Sequence, residues 1–305
     1  MSIEASGATT LFSLFPPAGV PLYSRRPEAV VPLVHESQPL LTFVINLDRD
    51  TERLAAITAI MAARGLDFAR LAASDARLLG DDEAARLSAF PAPFSREMTR
   101  GEIGCYLSHR RAWSALVESG APAAAIFEDD VEISAATRAV LDGLASRLPA
   151  NVDIVKIETS MKPAELAHKT EVMLGDHAVK RLVGCHIGSA GYVITRQGAE
   201  TMLARSEKLF VPVDAALFDP RAGIRNDLSV MQVVPALCVQ NRYVAGGAGA
   251  EDVTTSIEER GKRKSYGRSA AEIALNRTRD RIAVIARKVS AVIGRRRAAI
   301  VEYRP

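Results

Sequence analysis

Short apolar runs alternate along this chain with segments of helical period, and that alternation limits the fold more than any other feature. "LLTFVIN" (40–46) has the continuous hydrophobicity of a strand buried on both faces and is bounded by "LDRD". "TERLAAITAIMAARG" (51–65) then places Leu54, Ile57 or Thr58, and Met61 at helical spacing, with Asp50 suited to the N-cap and Gly65 to the exit. "DFARLAA" (67–73) supplies the next strand. A charged, irregular stretch to about Thr99 is followed by a helix over 100–120, whose Ile103, Leu107 and Leu116 share one face. Strands at 121–127 and 152–158 flank a helix at 135–148, and further short strands are predicted at 179–184, 190–194 and 233–239, with a helix at 197–205. This order predicts a single α/β domain over residues 40–245 with a mostly parallel sheet.

The ends of the chain read differently. Residues 1–39 are rich in Pro, Ser and small residues without a sustained period, which predicts an extended or disordered N-terminal arm. Glu4 stands where a signal peptide carries positive charge, and Pro16 and Pro17 interrupt the only apolar stretch there, so neither a cleavable signal nor a membrane span is expected. Residues 246–305 form a basic tail. From 260 to 305 there are 14 Lys/Arg and 3 Asp/Glu, a balance of +11, on a chain whose net charge is only +3. On a helix from about 271 to 297, Ile282, Ile285, Val289, Val292 and Ile293 fall within one arc, with Arg277, Arg281, Arg287, Lys288 and Arg295 largely opposite. A basic amphipathic helix suits an anionic membrane surface, and the same apolar stripe also suits core packing. Aromatic residues are nearly absent from this segment, so nucleic acid is not expected as a partner. Cys105, Cys185 and Cys238 lie far apart with no CxxC pair, which fits a reducing cytoplasm rather than a disulfide framework.

Two strand ends carry the candidate chemistry, because ligands of open α/β sheets bind outside the carboxyl ends of the strands. The first, "FVIN-LDRD", sets Asn46, Asp48, Arg49 and Arg53 at a strand end and helix start, where backbone N–H groups and arginines can meet a phosphate. The second, "AAIF-EDDVE", sets Glu128, Asp129 and Asp130 side by side. Three adjacent carboxylates repel one another, and a hard divalent cation or simple solvation at a turn each relieves that repulsion. No GxGxxG or GxxxxGK[ST] sequence occurs, so the usual glycine signatures for dinucleotides and P-loop phosphates are missing.

Taken together, "FVINLDRDTERL", "RGEIGCYLSHRRAW", "AAIFEDDVEI", "SAGYVITRQGAETML" and "VPVD" resemble glycosyltransferase family 25 in order and spacing, over roughly residues 41–240. The resemblance implies a GT-A-like, Rossmann-type domain that moves a hexose, galactose from UDP-galactose first, onto a lipopolysaccharide or other lipid-linked cell-envelope glycan. By that resemblance Asp130, with Glu128 or Asp129, holds Mn2+ or Mg2+ against the diphosphate, although "EDD" departs from a plain DxD at its first position. Glu102, Ser108 and His109 then line the sugar-nucleotide pocket, beside Asn46, Asp48, Arg49 and Arg53. Asp214, and after it Asp219, is the candidate base for the acceptor hydroxyl; a helix N-cap is the other reading of Asp214. The implied location is cytoplasmic, peripheral on the inner face of the membrane. Another UDP-hexose transferase, a catalytically silent sugar-nucleotide or glycan-binding module, and a metal-dependent phosphohydrolase are the competing readings.

Overall fold

The computed structural model describes residues 40–88, 98–244 and 296–305. The chain opens with β1 (Leu41–Asn46), α1 (Thr51–Ala63), β2 (Ala69–Ala72), α2 (Asp81–Leu87) and α3 (Arg100–Ser119). It continues through β3 (Ala123–Glu128), β4 (Val131–Ile133), α4 (Thr137–Arg147), β5 (Ile154–Lys156), β6 (Glu158–Thr159), β7 (Pro163–Leu174) and β8 (His177–Leu182). The last elements are β9 (Gly191–Thr195), α5 (Arg196–Arg205), α6 (Val213–Phe218), β10 (Val230–Val234), β11 (Cys238–Gln240) and β12 (Arg296–Ile300). Nine strands form one sheet in the order β12-β7-β8-β10-β5-β9-β3-β1-β2, and β4-β11-β6 form a second, smaller sheet.

The side-chain alternation of β1 and β3 explains the apolar runs. Phe43, Ile45, Ala124 and Ile126 pack with Ile103, Trp113 and Leu116 of α3 and Met202 of α5. Val44, Ala123, Ala125 and Phe127 face the other way, onto Ile57 and Met61 of α1 and Leu141 and Leu144 of α4. A sheet covered on both faces has no polar side, so its central strands read as unbroken hydrophobics. α3 is fixed at both ends by local chemistry. Thr99 and Glu102 form a reciprocal capping box, and Gly120 closes the helix in the left-handed region at φ 71°. Asp50 occupies the N-cap position of α1 but makes no side-chain capping bond; its carboxylate lies 3.6 Å from Arg49.

The sheet is mixed, not mostly parallel. β1 runs parallel to β2 and β3, and β5 runs parallel to β10, but the other neighbours are antiparallel. The reason is the β7–β8 hairpin, turned at Gly175 (φ 58°), which needs no helical crossover. β9 then inserts antiparallel between β3 and β5. β7 eludes a periodicity reading because its exposed residues and register shifts break the alternation. The expected strand at 233–239 is two strands, since Pro235 has no N–H to continue a ladder.

The basic tail ends inside the fold. β12 pairs antiparallel with β7, Val301 is fully buried, and the Glu302 carbonyl accepts from Ala236 N at 2.8 Å. Residues 296 and 297, expected at the end of the amphipathic helix, are therefore strand. The rest of that helix and the N-terminal arm lie outside the described residues. No described helix is long and apolar enough to cross a membrane.

Three strands of the large sheet continue into the small one: β3 into β4, β5 into β6, and β10 into β11. At this seam backbone groups leave one ladder for another and must find new partners. Ile157 N donates to Gly191 O, and Leu237 N to Ile157 O. Buried Gln232 donates from Nε2 to the carbonyls of Lys156, Glu158 and Val233.

Candidate functional site

The three carboxylates occupy the seam where β3 gives way to β4, and they point to different partners. Glu128 Oε1 receives the Ser189 hydroxyl at 2.8 Å and lies 3.3 Å from His109 Nε2. Asp129 accepts from Asn46 Nδ2 at 2.6 Å and from Arg53 Nη1 at 3.3 Å. Asp130 lies 3.3–3.4 Å from Gln240 Nε2 through both oxygens, and the same nitrogen is 3.4 Å from Glu128 Oε2. β11 delivers Gln240 to this position through its antiparallel pairing with β4, which sets Gln240 opposite Val131.

Electrostatics separate the three acids. Burial pushes the Asp130 carboxyl up to about 7, helped by the neighbouring charge of Glu128. Burial also opposes ionisation of Glu128, but hydrogen bonds from His109 and Ser189 outweigh it and hold this carboxyl below the ordinary range. Asp129 is raised by burial, against the pull of Asn46 and Arg53. Cys105, one helical turn before His109, has its thiol driven well above the usual value by burial and by the charges of Glu128, Asp214, Asp130 and Glu102. The Cys105, His109 and Glu128 donor atoms lie within 4.8 Å of one another. A thiol so strongly protonated and an imidazole hydrogen-bonded at both nitrogens make this trio a poor description of a preformed soft-metal site.

Glu128 and Asp130 fit a hard divalent cation better. Oxygens of both carboxylates converge on one electropositive nitrogen, Gln240 Nε2, so a common point between them already exists. All donors there are oxygens, the set that Mg2+ and Mn2+ prefer. Asp129 is not part of this convergence; it braces the neighbouring strand end instead.

That strand end is a network. Asn46, buried at the end of β1, also donates to Asp50 O and accepts from Arg70 Nε at 2.9 Å. Arg70 bridges onward to Asp48 at 2.6 Å. Arg49 pairs with Asp75, whose carboxyl is held far below the usual range by hydrogen bonds from Arg77 and Arg49 despite partial burial. Arg49 and Arg53 each keep about a third of their side chains exposed at this mouth (32%).

The remaining expected residues divide. Asp214 lies in the first turn of α6, close enough to Lys156, Glu128 and Glu102 for their charges to act on it, and burial raises its carboxyl. It does not cap the helix: among the described residues its Oδ1 accepts only from the adjacent Ala215 N, at 2.7 Å, and α6 has no side-chain cap there. Asp219, by contrast, is buried in a two-point pair with Arg221 and caps the following turn. Ser108 donates to Gly104 O and accepts from Ser74 N, so its hydroxyl ties α3 to the loop after β2. Glu102 contributes one oxygen to the capping box. His109 is fully buried and lies behind Glu128.

Arg70, Ser189, Tyr192, Gln240, Lys156 and Glu158 were missed by sequence reasoning. Lys156 had a visible signal, as the one basic residue inside the strand run "VDIVKIE". It forms a fully buried pair with Glu158 at 2.8 Å, stands 4.2 Å over the Phe218 ring and donates to Gly188 O. Glu158 in turn accepts from Ala190 N at 3.0 Å, so the pair pins both sides of Ser189.

Comparison with known proteins identifies the family. The family model described as glycosyltransferase family 25 (LPS biosynthesis protein) matches residues 40–217. The lacto-N-neotetraose biosynthesis glycosyltransferase LgtB of Neisseria gonorrhoeae is 31% identical over 216 residues, covering 66% of this chain and 75% of that protein. The lipooligosaccharide biosynthesis protein lex-1 of Haemophilus influenzae is 27% identical, covering 61% of this chain and 63% of its own length. Procollagen galactosyltransferase 1-A of Xenopus laevis is 26% identical, covering 70% of this chain but only 38% of that protein. Since the matched model takes in more than half of its length, the chain belongs to glycosyltransferase family 25, a family of sugar-transferring enzymes.

Proposed function

We propose that this chain transfers a hexose, galactose from UDP-galactose first, onto a lipid-linked lipopolysaccharide or other cell-envelope glycan, using a GT-A-like domain and a divalent cation. The observation that carries the reading is the convergence of Glu128 and Asp130 on one point at the end of β3, beside the arginines that follow β1. The relative named for lipooligosaccharide biosynthesis supports the acceptor class, and the one named a procollagen galactosyltransferase supports the sugar.

In this reading Glu128 and Asp130 hold Mn2+ or Mg2+, which when bound offsets the negative charge gathering on the departing diphosphate. Asp129 holds Asn46 and Arg53 in place, and Arg53 with Arg49 engages the nucleotide phosphates. Asp214 takes the proton of the acceptor hydroxyl; burial lifts its carboxyl toward working pH, as a general base requires. The enzyme works in the cytoplasm, drawn to the inner face of the membrane by its basic C-terminal segment.

A panel of UDP-sugars, assayed for binding, hydrolysis and transfer with Mn2+ or with EDTA, tests the reading. UDP-galactose is expected to turn over only with the cation, and Asp130→Asn to lower the rate at least about a hundredfold. Binding without turnover would mark a silent module, cleavage of simple phosphoesters a hydrolase, and near-normal rates in Asp130→Asn at saturating metal would overturn the cation assignment.

A further inference from the structure

Behind Glu128 lies a line of buried polar side chains that the proposed chemistry does not itself use. Trp113, Tyr192 and His109 are each fully buried. Trp113 Nε1 donates to the Tyr192 hydroxyl at 2.9 Å, and that hydroxyl lies 2.9 Å from His109 Nδ1. His109 Nε2 lies 3.3 Å from Glu128 Oε1.

The donor inventory fixes the direction of this chain. An indole N–H only donates, so the tyrosine oxygen accepts from Trp113 and keeps its own proton to give. An ionised carboxylate only accepts, so the His109 nitrogen facing Glu128 carries a proton. One neutral tautomer satisfies every atom: Tyr192 donates to Nδ1, and Nε2–H donates to Glu128. The ring is also held from its face, stacked on Tyr192 at 5.7 Å between centroids.

We propose that His109 is a positioning residue that, with Tyr192 and Trp113 behind it, turns Glu128 so that Oε2 rather than Oε1 serves the cation. Oε1 takes two donors, Ser189 Oγ at 2.8 Å and His109 Nε2 at 3.3 Å. Among the described residues Oε2 has only Gln240, at 3.4 Å, which it shares with Asp130. The arrangement leaves one carboxylate oxygen anchored and the other turned to the common point. This inference rests on the cation reading of Glu128 and Asp130.

The test is Mn2+ binding measured by calorimetry at fixed UDP, in the whole chain and in three variants, each checked for folding by circular dichroism and thermal melting. Outer partners of metal ligands typically contribute 10–100-fold in metal affinity. His109→Ala is expected to weaken Mn2+ binding by about that factor. His109→Gln, whose amide nitrogen reaches toward the Nε2 position, is expected to recover part of it. Tyr192→Phe, which removes one oxygen, should weaken binding several-fold. In transfer assays the same variants should raise the Mn2+ concentration needed for half-maximal rate more than they lower the rate at saturating Mn2+. If His109→Ala does not fold, the Gln and Phe variants decide. Wild-type Mn2+ affinity in the folded variants would overturn the positioning role alone. A wild-type chain that binds no Mn2+ with UDP would overturn the cation reading and this inference with it.

Discussion

Replacing Lys156 with Met tests how the seam is held. The lysine ammonium is wholly buried between Glu158 Oε2, Gly188 O and the Phe218 ring. Met keeps much of the aliphatic volume but removes the charge. Glu158 is then left with one donor, Ala190 N, and its Oε1 already has no hydrogen-bond partner. Breaking a buried pair from one side costs about 3–5 kcal/mol. The carboxyl can limit that cost by protonating, since burial already raises it. Holding a glutamate neutral at pH 7, against an unfolded value near 4.3, costs on the order of 4 kcal/mol, so the two routes give the same magnitude. The sign with pH follows. A folded-state pKa raised above the unfolded one favours folding below the unfolded value and loses that advantage as pH rises. Urea unfolding should therefore show Lys156→Met about 4 kcal/mol less stable than wild type at pH 7, with the gap narrowing as pH falls until the wild-type Glu158 carboxyl, itself raised by burial, also protonates. Lys156→Met/Glu158→Gln should remove that pH dependence and recover part of the loss. A loss under about 1 kcal/mol, unchanged with pH, would refute the argument that this pair supports the fold.

A Cβ added at Gly191 would stand 2.2 Å from Cys238 Sγ, so Gly191→Ala should cost about 1–3 kcal/mol in denaturant titration, and Cys238→Ala in the same chain should relieve it. Because burial raises Asp130 to about 7, cation-free protein should lose stability as pH rises from about 4 through 7; melting curves of Asp130→Asn should lack that component. Arg53→Ala removes a long, part-buried pair at 3.3 Å that contributes about 1 kcal/mol to stability, yet should weaken UDP binding severalfold by calorimetry; unchanged affinity would make the "LDRDTER" segment only a helix start. Replacing Lys262, Arg263 and Lys264 with Gln should reduce sedimentation with anionic liposomes by roughly 1 kcal/mol per charge in contact, and the wild-type attraction should weaken with salt. Substitution is the right perturbation, because truncation would also remove β12 and buried Val301.

Much of the fold was legible because its central strands are buried on both faces. β1, β3 and the helices α1, α3, α4 and α5 follow from apolar runs, helical spacing and local caps such as the Thr99–Glu102 box. The mixed sheet was not, since strand direction depends on a hairpin whose one plain signal is the "GD" at Gly175–Asp176. The site was legible in part. "EDD" does meet the residues on either side of "LDRD", since Asn46 and Arg53 both bond to Asp129. Ser108 and Asp219 show the limit, because residue type and spacing do not reveal the partners a hydroxyl or carboxylate already has, Gly104 O and Ser74 N for the one and Arg221 for the other.

The seam between the sheets explains why the rest stayed hidden. Glu128 and Asp130 lie where β3 leaves the large sheet, Lys156 and Glu158 where β5 leaves it, and Gln240 at the end of the strand that continues β10. Lys156 and Glu158 are fully buried and bond to backbone groups at that level, Gly188 O and Ala190 N, while Glu128 and Asp130 are partly buried and meet the Gln240 side chain. Far apart in sequence, they meet because all three strands switch at one level. Lys156 and Glu158 fix Gly188 and Ala190, which set Ser189 on Glu128 Oε1, while β11 brings Gln240 against Oε2. The same polar groups that repair the broken ladders thus orient the carboxylates. A substitution at the seam should therefore disturb fold and chemistry together, whereas one at the exposed arginines after β1 should separate them.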